Sequence, residues 1–179
     1  MPTDKELASR DRLTCEIDIT PAFYDIDVME IVYHGHYVRF LELARSALLA
    51  RFDYDYPRMR ESGYGWPVVD MRLKFVRPAT FGQVLKVRAT VTEWENRLRI
   101  DYLLRDAATG HKVNSAHTIQ VAVDMQTRAM CFVCPPVLWE RLAGLKKLLG
   151  DPAGLKEALD RALALMPADE SGDVARARL

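Results

Sequence analysis

The sequence lacks the features that mark several large classes of protein. Its 179 residues include only three cysteines, and its basic and acidic residues balance at 25 each. A nucleic-acid-binding protein normally has a basic surplus, so this balance argues against that class. Residues 1–12 are charged and have no apolar core, which predicts neither a secretion signal nor a transmembrane segment. With so few cysteines, we expect a reduced, cytoplasmic location.

Two of the cysteines, Cys131 and Cys134, have the Cys-x-x-Cys spacing that occurs in zinc and redox sites. They lie in a predicted strand, where side chains three positions apart point to opposite faces. The sequence has no second cysteine pair to complete a zinc site. The spacing therefore favours two structural thiols over a metal or redox centre.

The period of the apolar residues changes along the chain. Apolar residues alternate from 13 to 20, recur at steps of three and four from Tyr37 to about Phe52, and alternate again between 69 and 134. This order, which is a strand, a long helix and then about five antiparallel strands, predicts an α+β fold. The helical stripe consists of Tyr37, Phe40, Leu41, Ala44, Ala47 and Leu48, and the opposite side of the helix of Arg39, Arg45, Ser46 and Arg51.

Two further segments complete the predicted domain. Residues 53–65 are rich in Tyr, Pro and Gly and predict a loop with one turn of helix. Alternate residues from Val113 to Val123 predict a long fifth strand, before a short sixth strand.

Pro135 and Pro136 end the predicted sheet, and two helical stripes follow at 137–149 and 152–166. We expect this helical hairpin to dock on the domain, because its apolar faces are too narrow to form a core alone. The small and charged residues 167–179 are predicted to be disordered. These patterns divide the chain into an N-terminal tail at 1–12, a domain at 13–135, a helical extension at 136–166 and a C-terminal tail at 167–179.

A single long helix cannot cover a sheet of five strands on both faces. The uncovered face or edge must be buried by the C-terminal helices or by a second copy of the chain. We therefore expect a homo-oligomer.

The stretch from Tyr24 to Tyr37 carries the most chemical information. Asp25 and Asp27 stand just ahead of an apolar run that opens the long helix. At a helix N-terminus the first N–H groups have no partner inside the helix, and the helix dipole favours negative charge. A carboxylate beside such an anion-binding position is the minimum apparatus for acyl transfer.

Three motifs follow one another here: Tyr24-Asp25-x-Asp27, Ile31-Val32-Tyr33-His34-x-x-Tyr37 and Phe40-x-Glu42-x-Ala44-Arg45. They resemble those of the hotdog-fold acyl-CoA thioesterases of the 4-hydroxybenzoyl-CoA thioesterase type, and most closely the branch found with the bacterial Tol–Pal system. The resemblance covers about residues 13–135. It implies a long central helix wrapped by a curved antiparallel sheet of five to six strands, assembled into homodimers or homotetramers with active sites at the subunit interface.

The resemblance also implies roles for individual residues. Asp27 matches the catalytic carboxylate, which acts on the thioester as nucleophile or general base. His34 matches the position whose backbone N–H polarises the thioester carbonyl, and a role for its side chain stays open. Glu42 matches an acidic helix position that can reach the acyl group, although an ion pair with Arg45 is the alternative. Tyr33, in the same motif as His34, is a candidate substrate-binding residue.

Other candidate residues follow from local chemistry. Asp25 is expected to brace the loop. Arg97 lies in a predicted turn between strands, where a cation could meet the phosphates of coenzyme A, although a solvated surface charge is the simpler interpretation. His34 and His36 do not predict a metal site, because helix positions two apart do not share a face.

Glu30 is a departure from the family pattern, which usually has glycine at this position. A side chain there narrows the approach to the helix end and adds negative charge near Asp27. This change puts the choice of substrate in question and, to some extent, the activity.

The predicted function is hydrolysis of an acyl-CoA or acyl-carrier-protein thioester to a free acid and a thiol, with no cofactor or metal. One rival is a 3-hydroxyacyl dehydratase of the same fold, although the His before a Pro-Phe-Leu-type segment that marks those enzymes is absent. Another rival is a non-catalytic acyl or carrier-protein binding module in which Glu30 blocks turnover.

Overall fold

The computed structural model describes residues 13–147. The predicted N-terminal tail, second C-terminal helix and C-terminal tail lie outside the described residues. The strands and helices, in chain order, are β1 (Thr14–Ile19), α1 (Tyr37–Arg51), α2 (Tyr56–Glu61), β2 (Tyr64–Gly65), β3 (Val68–Phe75), β4 (Leu85–Glu93), β5 (Leu98–Asp106), β6 (Lys112–Gln120), β7 (Ala122–Asp124), β8 (Met130–Cys131) and α3 (Pro136–Lys147).

A curved five-stranded antiparallel sheet forms the main layer, in the order β1-β4-β5-β6-β3. Its first strand pairs with a distant segment, since Ile19 lies opposite Leu85 and Thr14 opposite Thr90. The long helix α1 packs on the concave side of this sheet and lies closest to β1 and β4. The predicted architecture, one long helix wrapped by a curved antiparallel sheet, is confirmed.

The core lies between α1 and the sheet. The predicted stripe of α1 is buried except for Ala47, which is half-buried. The placement of Arg45 on the side opposite the apolar stripe is wrong, because Arg45 is buried. Its charge is tolerated there because Arg45 donates to the Glu42 carboxylate at 2.7 Å and to the Tyr56 hydroxyl at 2.5 Å.

The predicted long fifth strand is interrupted. Strand β6 ends at Gln120, and the chain then leaves the main sheet to form β7 in a separate three-stranded sheet of order β2-β7-β8. The end of this strand could not be read from the sequence, because side chains on both faces of β6 are buried. Val113 and Ile119 are buried on one face, and Asn114 and Thr118 on the other. Burial on both faces removes the simple polar–apolar alternation that a half-exposed strand shows.

The segment 53–65 contains the predicted turn of helix as α2, which begins after Asp55. The Asp55 carboxylate accepts a hydrogen bond from the Arg58 backbone N–H at 3.2 Å, and Pro57 lies in the first turn of α2. Both features are typical of helix N-termini.

The first C-terminal helix docks on the domain as expected. Val137, Leu138, Trp139 and Leu142 of α3 are buried, and the Trp139 indole donates to the Cys134 carbonyl at 3.2 Å.

Cys131 and Cys134 are free thiols, and burial raises the pKa of Cys134. Within 13–147, no helix is both long and apolar enough to cross a bilayer.

Replacing Leu48, which is fully buried in α1, tests the core. Leu48→Ala should lower the free energy of unfolding by about 2–5 kcal/mol, because it removes apolar contacts and leaves a cavity. Leu43 of the same helix is 45% exposed, so Leu43→Ala is the matched control and should change stability by less than about 0.5 kcal/mol. Urea unfolding followed by circular dichroism measures both variants, and equal losses would contradict the assigned orientation of α1.

Candidate active site

Asp27 lies in a tight hairpin that precedes the long helix. Ile26 and Val32 form an antiparallel bridge, and the Asp27 backbone N–H donates to the Ile31 carbonyl at 2.9 Å. The Asp27 carboxylate accepts a hydrogen bond from the Met29 backbone N–H at 2.8 Å. One carboxylate oxygen of Asp27 therefore stabilises the turn, and the partly buried side chain is held in a defined position.

Glu30 completes this turn in an unusual backbone conformation. Its backbone N–H donates to the Asp27 carbonyl at 3.0 Å, and its φ is +62°. This left-handed conformation costs a non-glycine residue about 1–2 kcal/mol, which explains why glycine suits the position. The Glu30 side chain is exposed.

The hairpin is fastened to the main sheet through the segment that follows β3. The Val32 backbone N–H donates to the Ala79 carbonyl at 2.8 Å, and Ile31 forms a bridge with Thr80. The Tyr37 hydroxyl accepts a hydrogen bond from the Ala79 backbone N–H at 3.2 Å. Burial raises the pKa of Tyr37, so this phenol stays neutral at physiological pH.

Asp25 ties three parts of the loop together and is fully buried. One oxygen of its carboxylate accepts from the Ala22 backbone N–H at 2.8 Å. The other oxygen pairs with the Arg39 guanidinium and lies 3.2 Å from Nδ1 of His36. The Asp25 carbonyl accepts the Tyr33 backbone N–H at 2.8 Å, so the same residue holds the chain on both sides of the Asp27 hairpin.

A short 3-10 turn, His34–His36, leads directly into α1. The first N–H groups of such a turn have no acceptor within it, and they lie at the positive end of the helix dipole. This arrangement suits the binding of a developing oxyanion. Across the described residues, no three His, Cys, Asp or Glu side chains group closely enough to hold a metal ion.

The Tyr33 side chain packs over this turn. Its ring lies 4.3 Å from the His34 ring and 5.4 Å from the His36 ring, centroid to centroid, and the residue is 44% exposed, so a bound molecule can reach it. A Cβ at Gly35 would lie 2.7 Å from the Tyr33 ring, so a side chain there would displace the ring. Sequence reasoning missed Gly35, whose only signal was a glycine between two histidines.

Glu42 lies further along α1, in a cluster of polar groups. The predicted ion pair with Arg45 is present, and the Tyr56 hydroxyl also donates to Glu42 at 3.1 Å. Tyr102 lies nearby on β5, and burial raises its pKa to about 12, so it is neutral at pH 7. Tyr56 comes from the irregular segment 53–65 and could not be assigned to this cluster from the sequence.

Arg97 lies away from the hairpin. It occupies the turn between β4 and β5, and its guanidinium Nε donates to the Glu93 carboxylate at 2.8 Å. The hairpin bridges to Thr80, near the other end of β4. A strand of this length spans about 30 Å, so the structure does not bring Arg97 and Asp27 of one chain together.

Comparison with known families identifies the chain. A model of the Thioesterase-like superfamily matches residues 21–169, which include the hairpin, the helix α1 and every strand after β1. The chain belongs to the Thioesterase-like superfamily. The family resemblance that the three motifs indicated is thereby confirmed at this level.

Two curated relatives are similar to parts of the chain. The putative acyl-CoA thioesterase YneP of Bacillus subtilis is 29% identical over 77 residues, which cover 43% of this chain and 56% of the relative. A putative esterase of Synechocystis is 26% identical over 133 residues, which cover 74% of this chain and 80% of the relative. The chain thus spans little more than half the length of YneP.

Solved structures share the fold at low identity. The 1,4-dihydroxy-2-naphthoyl-CoA thioesterase of Synechocystis superposes with a TM-score of 0.67 at 21% identity, over 74% of this chain and 98% of that one. A Staphylococcus aureus protein solved in complex with CoA superposes with a TM-score of 0.67 at 12% identity, over 75% and 84% of the two chains. These likenesses confirm the hotdog fold.

Asp25→Asn tests how much the buried carboxylate stabilises the loop. The amide removes the charge that pairs with Arg39 and turns one acceptor into a donor, so we expect a loss of about 1–3 kcal/mol in the free energy of unfolding. The control is Asp18→Asn, because Asp18 pairs with Lys86 on the exposed surface and should lose less than about 1 kcal/mol. Thermal unfolding compares the two, and an unchanged midpoint for Asp25→Asn would contradict a stabilising role.

Proposed function

We propose that this protein is a thioesterase that hydrolyses an acyl-CoA or acyl-carrier-protein thioester to a carboxylic acid and a thiol. One observation carries the proposal: the Asp27 carboxylate is held in a hairpin that leads through Tyr33 into the N-terminal turn of α1. Membership of the Thioesterase-like superfamily and the names of the relatives support it.

The chemistry needs few groups because a thioester is already activated. Sulfur donates poorly into the carbonyl and leaves well. In the proposed reaction Asp27 takes a proton from water as the water oxygen attacks the carbonyl carbon, and the proton passes to the leaving thiolate when the carbon–sulfur bond breaks. Attack by Asp27 itself, followed by hydrolysis of the anhydride, is the alternative route. General-base assistance contributes about 10²–10⁴-fold to the rate.

The His34–His36 turn supplies the proposed oxyanion site. The backbone N–H of His34 points its dipole toward the carbonyl oxygen, where negative charge develops during attack. One such donor is worth on the order of 3 kcal/mol in known enzymes. The exposed Tyr33 ring is proposed to contact the substrate beside this turn, and Glu42 to contact the acyl group further along α1.

The finer family assignment is also proposed. The motifs from Tyr24 to Arg45 favour the 4-hydroxybenzoyl-CoA thioesterase type and its Tol–Pal branch, whereas structural neighbours act on 1,4-dihydroxy-2-naphthoyl-CoA and gentisyl-CoA. The names of these thioesterases, together with the Staphylococcus aureus structure solved with CoA, favour a coenzyme A thioester as the substrate. A contact between Arg97 and coenzyme A would have to come from a second copy, given the position of Arg97.

We infer that the protein works as a homodimer or homotetramer, with β3 at the subunit interface. This edge strand carries exposed apolar side chains, including Val68, Val69 and Phe75. An edge strand with unpaired backbone groups and apolar side chains is a template for pairing with another strand. Joining two copies at β3 would also cover the part of the concave face that lies beyond α1.

A charge on β3 tests this interface. Val69 is 57% exposed in one chain, and Val69→Lys should move the protein toward monomer, because a lysine on an edge strand opposes strand pairing. Val84→Lys is the matched control, since Val84 is an exposed valine outside β3. Sedimentation velocity measures both variants, and an unchanged assembly for Val69→Lys would exclude this strand as the interface.

Asp27→Asn tests the proposed mechanism. The amide oxygen still accepts the Met29 N–H, so the hairpin should persist while the base or nucleophile is lost. We expect kcat/KM for thiol release from acyl-CoA to fall by about 10²-fold or more, with the unfolding midpoint nearly unchanged.

Asp55→Asn is the control for this substitution. Asn replaces Asp well at a helix N-cap, so this variant should retain both stability and activity. Full activity in Asp27→Asn would contradict the mechanism. No thiol release by the wild type from any CoA or carrier-protein thioester would favour a binding module instead.

A further inference from the structure

The helix-facing side of β6 is polar, although the same side of its neighbour β5 is apolar. Asn114 lies opposite Leu104, and Thr118 lies opposite Ile100. Asn114, Thr118 and Gln120 are all fully buried. A row of buried polar side chains in a sheet core needs an explanation, because each group loses its hydration.

The hydrogen bonding of this row is incomplete at Gln120, whose Oε1 has no partner, and most of all at Asn114. Thr118 is bonded, since its hydroxyl lies 3.2 Å from the Tyr102 hydroxyl and accepts from the Gln120 amide at 2.7 Å. Both polar atoms of the Asn114 side chain, Oδ1 and Nδ2, are buried without a hydrogen-bond partner. Most buried polar side-chain atoms in folded proteins have a partner, so an amide with neither of its groups paired is an exception.

Asn114 is linked to the start of α1 through one intervening side chain. On its other side it is opposite Phe75 of the edge strand β3. The Phe75 ring lies 5.3 Å from the ring of Tyr37, the first residue of α1, and Phe75 is 51% exposed. Gln120 is six positions further along β6, about 20 Å away, and belongs with the Tyr102 cluster.

Helix α1 covers the two sides of the sheet unequally. Helix α1 lies closest to β1 and β4, at the other side of the sheet from β6 and β3. The helix-facing side chains Met71 and Leu73 of β3 are only half-buried. Asn114 is fully buried, so a group that enters beside Phe75, between the start of α1 and β3, would reach Asn114 once the half-exposed Phe75 side chain turns aside.

We propose that Asn114 is a specificity-determining residue that selects acyl groups carrying a hydroxyl. The inference rests on the proposed thioesterase function and names its substrate class. An amide presents one donor and one acceptor side by side, and a hydroxyl is the simple group that accepts from Nδ2–H and donates to Oδ1. A saturated hydrocarbon chain would leave both groups of Asn114 unpaired, which a site built on a hydrogen bond strongly rejects.

Asn114→Leu tests the proposal because leucine has nearly the same size and no polar group. The probes are two matched pairs, 3-hydroxybutanoyl-CoA with butanoyl-CoA, and 4-hydroxybenzoyl-CoA with benzoyl-CoA. Wild type should prefer the hydroxylated member of at least one pair, and the variant should lower that preference at least tenfold in kcat/KM. The unfolding midpoint should stay the same or rise, because an unpaired buried amide is removed.

Ser115→Ala is the matched control. Ser115 is the next residue of β6 and points to the other face of the sheet, so its replacement should leave the preference unchanged. Asn114→Val is measured in parallel and should give the same loss of preference if Asn114→Leu fails to fold.

Two results would overturn the proposal: a wild type with no preference for a hydroxylated substrate, or Asn114 variants that lower kcat/KM equally for both members of a pair. If wild type hydrolyses none of the four substrates, the wider panel of CoA and carrier-protein thioesters decides the proposed function separately. The same pairs are then compared by calorimetric binding, where equal Kd ratios for wild type and Asn114→Leu would overturn the selectivity itself.

Discussion

The buried carboxylate of Asp25 is the interaction on which the geometry of the site depends. A fully buried charge is tolerated only when it is paired and hydrogen-bonded, so the positions of its partners are fixed together. Those partners come from the loop before the hairpin, from the turn after it and from the first turns of α1. The Asp27 hairpin lies between these fixed points, and its reactive group is therefore positioned by a residue that takes no part in the proposed chemistry.

A second constraint is that the single long helix is too narrow to cover all five strands of the sheet. Helix α1 covers the β1–β4 side of the sheet and leaves β3 with half-buried and exposed apolar side chains. The start of α1 lies at the border between the covered and uncovered parts. This incomplete cover thus explains why the proposed reaction site, the proposed subunit interface and the polar row of β6 are neighbours.

The fold could largely be predicted from the sequence, and the site only in part. The apolar steps of three and four defined α1 almost to its last residue, because its core stripe is local. Arg45 was placed wrongly because its burial depends on Tyr56, which only tertiary structure brings near. The polar face of β6 was missed for a similar reason, since both faces are covered. The importance of Gly35 depends on the position of the Tyr33 ring, which no sequence spacing reveals.

The pairing of β1 with β4 determines how much of the chain must be synthesised before the N-terminal segments reach their final positions. Thr14 meets Thr90, and Ile31 of the hairpin meets Thr80, so neither contact can form until those distant residues have left the ribosome. Non-local pairing of this kind delays folding, because the entropy of closing a long loop is lost before the new contacts stabilise the structure. The hairpin is therefore made early in translation but acquires its final position only after Ala79 and Thr80 have emerged, and β1 joins the sheet later still, when β4 is complete.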